Sequence, residues 1–375
     1  MLFLLLFFLA VLIAAEVYSI YKGMDKITYD AQVSQSLLEP NEEFTITTKI
    51  GHYKFWFLSY LEMVENFPDQ LQFPHDEDIV VDRMHSNLSP ELCLTRLHST
   101  FYLMPNQAFY RSVDVSLPKR GRYLLQDATL YGGDFLGIRD NCNKFKVHKE
   151  IIVMPERISY PNLDHLLGDF LGNISVRRFL FDDPMLTVGF SEYTGREPMR
   201  DISWTQSARM GKMMVKEYDH TIDYCVEVLV NVQSVPNSFE SEDEGVETCF
   251  SLARGVCEVL ESKQMKYGFS TNAITLGPIG SLCSVDQGIG NRHFFRVMEI
   301  LGRALPQSAE YFNATLSRAC RSIQTGKHFI IITPKVDPSW EESLHRLQES
   351  TVAQVIVLTP DSFQTSDSEQ KEEAV

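Results

Sequence analysis

The stretch Gly195–Asp219, GREPMRDISWTQSARMGKMMVKEYD, concentrates residue types that recognise charged and aromatic groups. Arg200 and Arg209 carry planar guanidinium groups suited to two-point pairing with carboxylates, and Trp204 offers a ring face for stacking or for a cation. Four acidic residues within the stretch nearly balance its five cations. We therefore favour a structural clasp held by internal ion pairs; a docking surface for a partner protein is the second interpretation, and an anion or catalytic site the third. The candidate residues are Arg200, Trp204, Ser207, Arg209 and Lys216.

Other patterns in the sequence do not build a catalytic centre. The ten histidines show no HExxH spacing, and the seven cysteines include no CxxC pair, which is typical of reduced thiols. The segment GIGNRH, residues 288–293, lacks the preceding strand of a nucleotide-binding loop, so we interpret it as a turn before a helix. We predict a protein that is not an enzyme, with no catalytic residue, no metal and no cofactor. The net charge of −16 argues against a broad contact with nucleic acid.

The elements that position these residues divide the chain into two folded parts. Residues 27–155 form short alternating segments such as EEFTITTKI, which predict an antiparallel, immunoglobulin-like β-sandwich. Residues 156–218 form a looser junction that contains the opening stretch. Residues 219–360 alternate apolar strands with amphipathic helices, which predicts a doubly wound α/β domain. The acidic tail, 361–375, is predicted to be disordered, and the fold class is α+β multidomain.

The N-terminal residues 1–22, MLFLLLFFLAVLIAAEVYSIYK, approach the ~20 apolar residues that a membrane helix needs. No basic residue precedes the apolar run, which favours a retained anchor over a cleaved signal peptide. Tyr18 and Tyr21 suit the membrane interface, and Lys22 and Lys26 follow the run, as on the cytoplasmic side of a membrane. We predict a single-pass protein of the cell membrane with its folded domains in the cytoplasm.

The opening stretch also carries a pattern with fixed spacing. It consists of Tyr193, Gly195, Arg200, Ile202, Trp204, Ser207, Ala208 and Arg209, followed by VKEY at 215–218. This pattern resembles the signature of a bacterial family, domain of unknown function 58 (DUF58), and RGRYLLQDATLYGGDFLGI and EIIVMPE are similar to its upstream motifs. The usual Gly-Asp pair is replaced by Gly195-Arg196, with Glu197 one position later.

The resemblance implies a membrane-anchored β-sandwich followed by a von Willebrand factor A-like domain. It also implies a MoxR-type AAA+ ATPase as partner and no established enzymatic activity. We therefore predict a membrane-anchored, non-enzymatic interaction or scaffold protein that works in assembly or chaperone-like processes.

Von Willebrand factor A-like domains carry Asp-x-Ser-x-Ser after their first strand, and its oxygens hold a divalent cation. Here the aligned residues are Asn231, Gln233 and Val235, with Ser234 between the last two. Because the carboxylate is lost, we predict that this degenerate site binds no metal. The acidic loop 240–247 lies nearby in sequence and keeps an alternative open, a cation-dependent adhesion or ligand-binding protein. Acids in the first turn of a helix are, however, stabilised by the helix dipole without any metal.

Overall fold

The structure, a computed structural model, describes residues 2–54, 58–73, 80–84, 94–133, 140–160, 162–178, 187–195, 197–218, 224–234, 243–277, 283–321, 327–349 and 354–361. The chain divides into two compact units. Unit 1 comprises Met1–Glu156 with Leu301–Arg303, and unit 2 comprises Arg157–Ile300 with Ala304–Val375. From Arg157 onwards, the predicted junction 156–218 belongs to unit 2, and its described residues include two helices and two strands.

Unit 1 begins with helix α1 (Leu2–Lys22), and nine strands follow among its described residues. These strands are β1 (Ile27–Val33), β2 (Leu37–Leu38), β3 (Glu43–His52), β4 (Leu58–Pro68), β5 (Val80–Met84), β6 (Leu94–Leu103), β7 (Ala108–Ser116), β8 (Gly121–Gly133) and β9 (Asp140–Val153). One sheet has the order β1-β3-β7 and the other β2-β9-β8-β4-β6-β5. Neighbouring strands run antiparallel, except that β2 is parallel to β9.

The alternating sequence sets the inner faces of these sheets. In β3, Phe44, Ile46 and Thr48 are buried, whereas the residues between them are partly exposed. Apolar side chains of both sheets form one core, in which Phe44 of the first sheet joins Leu97 and Ile151 of the second. Two sheets that pack face to face through one core form a β-sandwich. The antiparallel β-sandwich predicted from the alternation is confirmed.

A carboxylate lies inside this sandwich. Glu65 in β4 is 2% exposed. Its Oε1 accepts hydrogen bonds from the hydroxyl of Tyr29 at 2.6 Å and from Oγ1 of Thr48 at 2.8 Å, and Arg111 pairs with Oε2. These residues lie on β1, β3, β4 and β7, so the cluster links both sheets. A buried charge requires such partners, because an unpaired carboxylate there would be strongly destabilising.

Tyr29 should make the stability of unit 1 depend on alkaline pH. Burial, followed by the neighbouring Glu65 carboxylate, raises the pKa of Tyr29 well above its ordinary value of 10.0. Above about pH 10 the unfolded chain loses this proton while the folded chain keeps it, so stability falls by up to ~1.4 kcal/mol per pH unit. Below about pH 10 the contribution is fully present.

We expect Tyr29→Phe to remove this part of the fall in stability at alkaline pH, because phenylalanine does not titrate. Urea unfolding between pH 8 and 11 measures how steeply the free energy of unfolding falls with pH in wild type and in the variant. At pH 8 the variant should be less stable by about 1 kcal/mol, since one hydrogen bond is lost. An equally steep fall in the free energy of unfolding above pH 10 in both proteins would contradict the attribution of this pH dependence to Tyr29.

Helix α1 covers the helix predicted over residues 1–22. The side chains from Phe3 to Ala10 are all exposed, so apolar groups face outward on every side of this part of the helix. Within the described residues, no helix meets the combined length and hydropathy that crossing a membrane requires.

Unit 2 contains the remaining elements. Its helices are α2 (Leu163–Arg178), α3 (Trp204–Met210), α4 (Asp243–Ser262), α5 (Asn291–Arg303), α6 (Phe312–Arg321) and α7 (Glu341–Glu349), of which the last three residues of α5 are assigned to unit 1. Its strands are β10 (Thr187–Glu192), β11 (Met214–Tyr218), β12 (Cys225–Val230), β13 (Lys266–Thr271), β14 (Ala273–Thr275), β15 (Ser284–Gly288), β16 (Ala304–Ser308), β17 (Lys327–Ile332) and β18 (Val355–Leu358).

The main sheet of unit 2 has the order β15-β13-β12-β17-β18. All neighbours are parallel except the edge strand β15, which runs antiparallel to β13. Every residue of β12 and β17 is buried, so both faces of the central strands are covered. Helix α4 lies between β12 and β13, α5 and α6 lie between β15 and β17, and α7 lies between β17 and β18, as the alternating pattern predicted, whereas no described helix lies between β13 and β15. The chain is therefore a mixed α and β protein with two sheet-based units.

Two predicted segments, the acidic loop 240–247 and the acidic tail 361–375, differ from the structure or lie largely outside the described residues. Helix α4 already begins at Asp243, so 243–247 is helical rather than part of a loop, while 235–242 lies outside the described residues. The turn predicted at residues 288–293 is present, because Gly290 has φ 98° and precedes α5, which begins at Asn291. The predicted absence of a preceding strand was wrong, however, because β15 ends at Gly288. Residues 362–375, nearly all of the predicted disordered tail, lie outside the described residues.

Candidate functional site

The opening stretch folds as a small substructure of β10, α3 and β11. Strands β10 and β11 pair antiparallel, and Phe190 lies opposite Lys216. Helix α3 ends at Gly211, which adopts φ 67° and donates its N–H to the carbonyl of Ser207. Glycine adopts this left-handed conformation without steric penalty, so it stops the helix at this point.

Ser207 holds α3 against β11. Its Oγ donates to the carbonyl of Ser203 at 2.8 Å and accepts the N–H of Met214 at 2.8 Å. The N–H of Ser203 in turn donates to the carbonyl of Met214. Ile202 and Val215 are buried beside this connection and form an isolated bridge. A hydroxyl, main-chain groups and two apolar side chains thus hold this stretch together locally, whereas the predicted clasp, held by ion pairs and locking the junction against the α/β domain, stays a prediction.

The charged and aromatic candidates lie on the outside. The side chain of Arg200 is 84% exposed, and its Nε lies 3.7 Å from Oδ1 of Asp201. Trp204 is 64% exposed, Arg209 is exposed and Lys216 is half-buried. Exposed ion pairs contribute only about 0–1 kcal/mol, so this geometry favours the docking interpretation over a clasp built from charges.

Apolar neighbours extend this exposed surface beyond the residues that sequence reasoning selected. We use the name α3 surface for the exposed side chains of this substructure: Phe190, Met199, Trp204, Met210 and Met213, with the cations Arg200, Arg209 and Lys212. Met199 and Met210 are 68% and 65% exposed. The methionines were missed because a methionine in a sequence is as compatible with a core as with a binding surface.

Glu197 also has a defined role in this substructure. Its carboxylate accepts the N–H of Thr194 at 3.0 Å and the hydroxyl of Thr194 at 2.6 Å. Glu197 therefore holds the turn between β10 and α3. It directly follows Gly195 and Arg196, the pair that departs from the DUF58 pattern.

The carboxyl ends of the central strands carry the second group of candidates. Asn231, directly after β12, is 1% exposed. Its Nδ2 donates to the carbonyl of Gln233 at 3.2 Å and to Oγ1 of Thr333 at 3.0 Å. Its Oδ1 accepts the N–H of Gln233 and Nδ2 of Asn272, each at 2.9 Å. All four hydrogen-bonding positions of this amide are therefore filled.

The neighbouring side chains complete a closed network at these strand ends. Oδ1 of Asn272 accepts the N–H of Val232, the hydroxyl of Thr333 donates to the carbonyl of Lys335, and Oε1 of Gln233 accepts the N–H of Phe312. Ser234 is half-buried. Amides that already use their oxygens leave few free ligands for a cation, which prefers several oxygens. In the described part of the chain, no group of three or more His, Cys, Asp or Glu side chains is placed to hold a metal ion.

The three buried thiols of unit 2 have no features of a nucleophile. Cys225, Cys249 and Cys257 are buried. Burial raises the pKa of the Cys249 and Cys257 thiols well above the ordinary value, so neither forms a thiolate near neutral pH. Both lie on the buried face of α4, where they pack as small apolar groups.

An open groove lies in unit 2 between the segment 157–164 and α4. Its volume of about 540 Å³ is within the range of ligand sites. Of its charged lining residues, Arg157, Asp164 and Glu258, two pair with each other, because Nε of Arg157 lies 3.0 Å from an oxygen of Glu258. The other oxygen of Glu258 lies 3.0 Å from Nε of Arg254. Gly255 permits the close approach of Leu163 to α4. This arrangement supports the packing of the segment 157–164 against α4.

Comparisons with known proteins concern the fold only. No protein-family model matches the sequence, and none of the curated proteins compared with it is similar. Among solved structures, the CARDB domain of PF1109 from Pyrococcus furiosus is 9% identical, covering 34% of this chain and 92% of that one, with a TM-score of 0.20.

Two further structures are similar to the chain at the same level. A non-cellulosomal cohesin from Archaeoglobus fulgidus is 10% identical, covering 37% of this chain and 97% of that one, with a TM-score of 0.21. The major pilin SpaD from Corynebacterium diphtheriae is 11% identical, covering 32% of this chain and 34% of that one, with a TM-score of 0.23. TM-scores this low carry no argument about function, and the comparisons leave the family of this chain unassigned.

Proposed function

We propose that this chain is a membrane-anchored, non-enzymatic interaction protein whose α3 surface docks a partner protein. The observation that carries the proposal is the exposure of Trp204 in a small substructure that exposes four other apolar side chains. Tryptophan is highly buried on average, so an exposed one within an apolar group marks an interaction surface. Tryptophan and arginine are also the residues most enriched among those that dominate binding energy at interfaces.

The charge of the α3 surface defines its partner. Arg200, Arg209 and Lys212 place cations beside the apolar groups in a chain whose net charge is −16. Lys212 pairs with Glu192 at 3.2 Å and Arg200 lies 3.7 Å from Asp201, but the guanidinium groups of Arg200 and Arg209 remain exposed. A complementary partner presents acidic and apolar side chains together. We propose a MoxR-type AAA+ ATPase, the partner that the resemblance to DUF58 implies.

The anchor in this proposal is α1. Exposed apolar side chains on every side of Phe3–Ala10 have no place in water, and a bilayer would cover them. With Lys22 and Lys26 after the helix, the folded units lie on the cytoplasmic side. The parallel sheet of unit 2 supports a von Willebrand factor A-like identity for that unit and membership of the DUF58 family, while Asn231 after its central strand departs from the motif of those domains.

Substitution of Trp204 separates docking from a structural role. Because the side chain is 64% exposed, we expect Trp204→Ala to change the free energy of unfolding by no more than about 0.5 kcal/mol. Loss of a central interface residue should lower recovery of the ATPase at least tenfold, since such residues contribute 2 kcal/mol or more. The measurement is affinity purification of the full membrane protein with the purified ATPase, beside thermal melting.

Tyr311→Ala is a suitable control, because Tyr311 is a 43% exposed aromatic residue of unit 2 outside the α3 surface. It should leave recovery unchanged. Equal recovery with Trp204→Ala and wild type would remove the α3 surface from the contact, and a large fall in melting temperature would restore the clasp interpretation.

A further inference from the structure

The connection between α1 and the sandwich is short and fixed. Only Gly23–Lys26 separate α1 from β1, a span of at most about 14 Å when fully extended. Met24 within this span is 6% exposed and packs in a core cluster with Ile27 and Leu58. Its carbonyl accepts Nδ2 of Asn143 at 2.8 Å. The end of α1 therefore cannot move away from the sandwich as it could on a flexible linker.

Two turns of the sandwich meet at the end of α1. Nζ of Lys54, in the turn after β3, donates to the carbonyl of Lys22 and lies 3.6 Å from Oδ2 of Asp25. The turn after β6 joins it there, because the N–H of Asn106 donates to the carbonyl of Lys54 at 2.9 Å. An ammonium at the last carbonyls of a helix is favourable. These contacts fix both turns beside the C-terminal end of α1.

The side chains around this junction are aromatic, apolar and basic. Tyr53 is 57% exposed, Tyr102 67% and Met104 55%, and Tyr21 at the end of α1 is 74% exposed. Among the described residues of this region, the charges are the cations Lys22, Lys26, Lys49 and Lys54 and the acids Asp25 and Asp30, of which Asp25 lies beside Lys54 and Asp30 opposite Lys49. Cations are in excess among these described residues, in a chain that is acidic overall. Exposed tyrosine with lysine is the composition that proteins place at the membrane interface.

We propose that this end of unit 1, which we name the anchor-proximal tip (Tyr53, Lys54, Tyr102 and Met104), rests on an anionic lipid surface. The inference rests on the proposed anchoring of α1 and adds a second contact with the same membrane. Lys54 is mostly buried and bonded to the Lys22 carbonyl and Asp25, so the exposed Lys22 and Lys26 beside the tip attract the anionic headgroups, with each cation near the surface contributing about 1 kcal/mol. The tyrosine rings and Met104 enter the interfacial layer. The sandwich is thereby held in one orientation against the bilayer rather than tethered freely.

Photocrosslinking of the full chain tests the tip and the anchor separately. The photoreactive residue p-benzoylphenylalanine would replace one residue at a time in protein reconstituted into phosphatidylglycerol and phosphatidylcholine vesicles, and mass spectrometry would measure the fraction bonded to lipid. Tyr53 and Tyr102 report on the tip, Phe8 reports on α1, and Tyr311 in unit 2 is the background control. All four side chains are exposed, so the replacements should leave the melting temperature unchanged.

We expect lipid adducts at Tyr53 and Tyr102 at several times the Tyr311 background, together with adducts at Phe8. Adducts at Phe8 with only background at the tip would overturn the tip proposal and leave the anchor intact. Adducts at the tip without any at Phe8 would support the tip and overturn anchoring by α1. Background at every position would overturn both.

Discussion

Replacing Glu65 by alanine is expected to lower the free energy of unfolding by about 3–5 kcal/mol. The change removes the acceptor shared by Tyr29, Thr48 and Arg111 and leaves the mostly buried guanidinium of Arg111 without its carboxylate. An uncompensated buried charge accounts for most of this loss. Urea unfolding at pH 7, followed by far-ultraviolet circular dichroism, measures it, with the two units analysed as separate transitions where both are resolved.

Glu62→Ala provides the matched control. Glu62 lies on the same strand, but its side chain is 29% exposed, and its carboxylate contacts His98 and Tyr60. Its removal should lower stability by no more than about 1 kcal/mol. Similar losses for the two variants would show that the cluster around Glu65 has no special role in joining the sheets.

Asn231→Asp should produce the second large effect, a loss of about 2–4 kcal/mol at neutral pH. The amide nitrogen of Asn231 donates to the carbonyl of Gln233 and to the hydroxyl of Thr333, whose own proton goes to Lys335. An aspartate oxygen at that position would meet two acceptors and no donor. It would also carry a charge into a site that is 1% exposed.

The same variant tests the cation-dependent alternative, because it restores the carboxylate usual at that position in von Willebrand factor A-like domains. We expect added Mg²⁺ to leave the melting temperatures of both wild type and Asn231→Asp unchanged, since the surrounding oxygens already accept hydrogen bonds. Asn291→Asp, an exposed change at the start of α5, should be neutral or slightly stabilising. A stable Asn231→Asp protein whose melting temperature rises with Mg²⁺ would instead support a cation site.

The candidate site shows where sequence reasoning succeeds and where it stops. The types and spacing of Arg200, Trp204 and Arg209 identified the stretch, and the balance of charges suggested internal pairing. Balanced charges along a sequence do not show which charged groups lie close together, however, and the side chain of Arg200 is mostly exposed to solvent. The contacts that hold the stretch together come from Ser207 and Met214, whose roles depend on how α3 returns to β11.

The sequence by itself determined the local elements of this protein. Alternation along β3 and the buried runs of β12 and β17 follow from side-chain period and hydrophobicity, which act over a few residues. The same holds for the glycine turn before α5.

Only the tertiary structure decided which distant residues meet. The Glu65 cluster draws on four strands, the Asn231 network joins residues about 40 and 100 positions apart, and Lys54 reaches the end of α1. Such contacts depend on strand order and turn placement, because non-local hydrogen bonds form only after the sheets have assembled. Burial and exposure, which distinguish a clasp from a docking surface, are properties of that assembly.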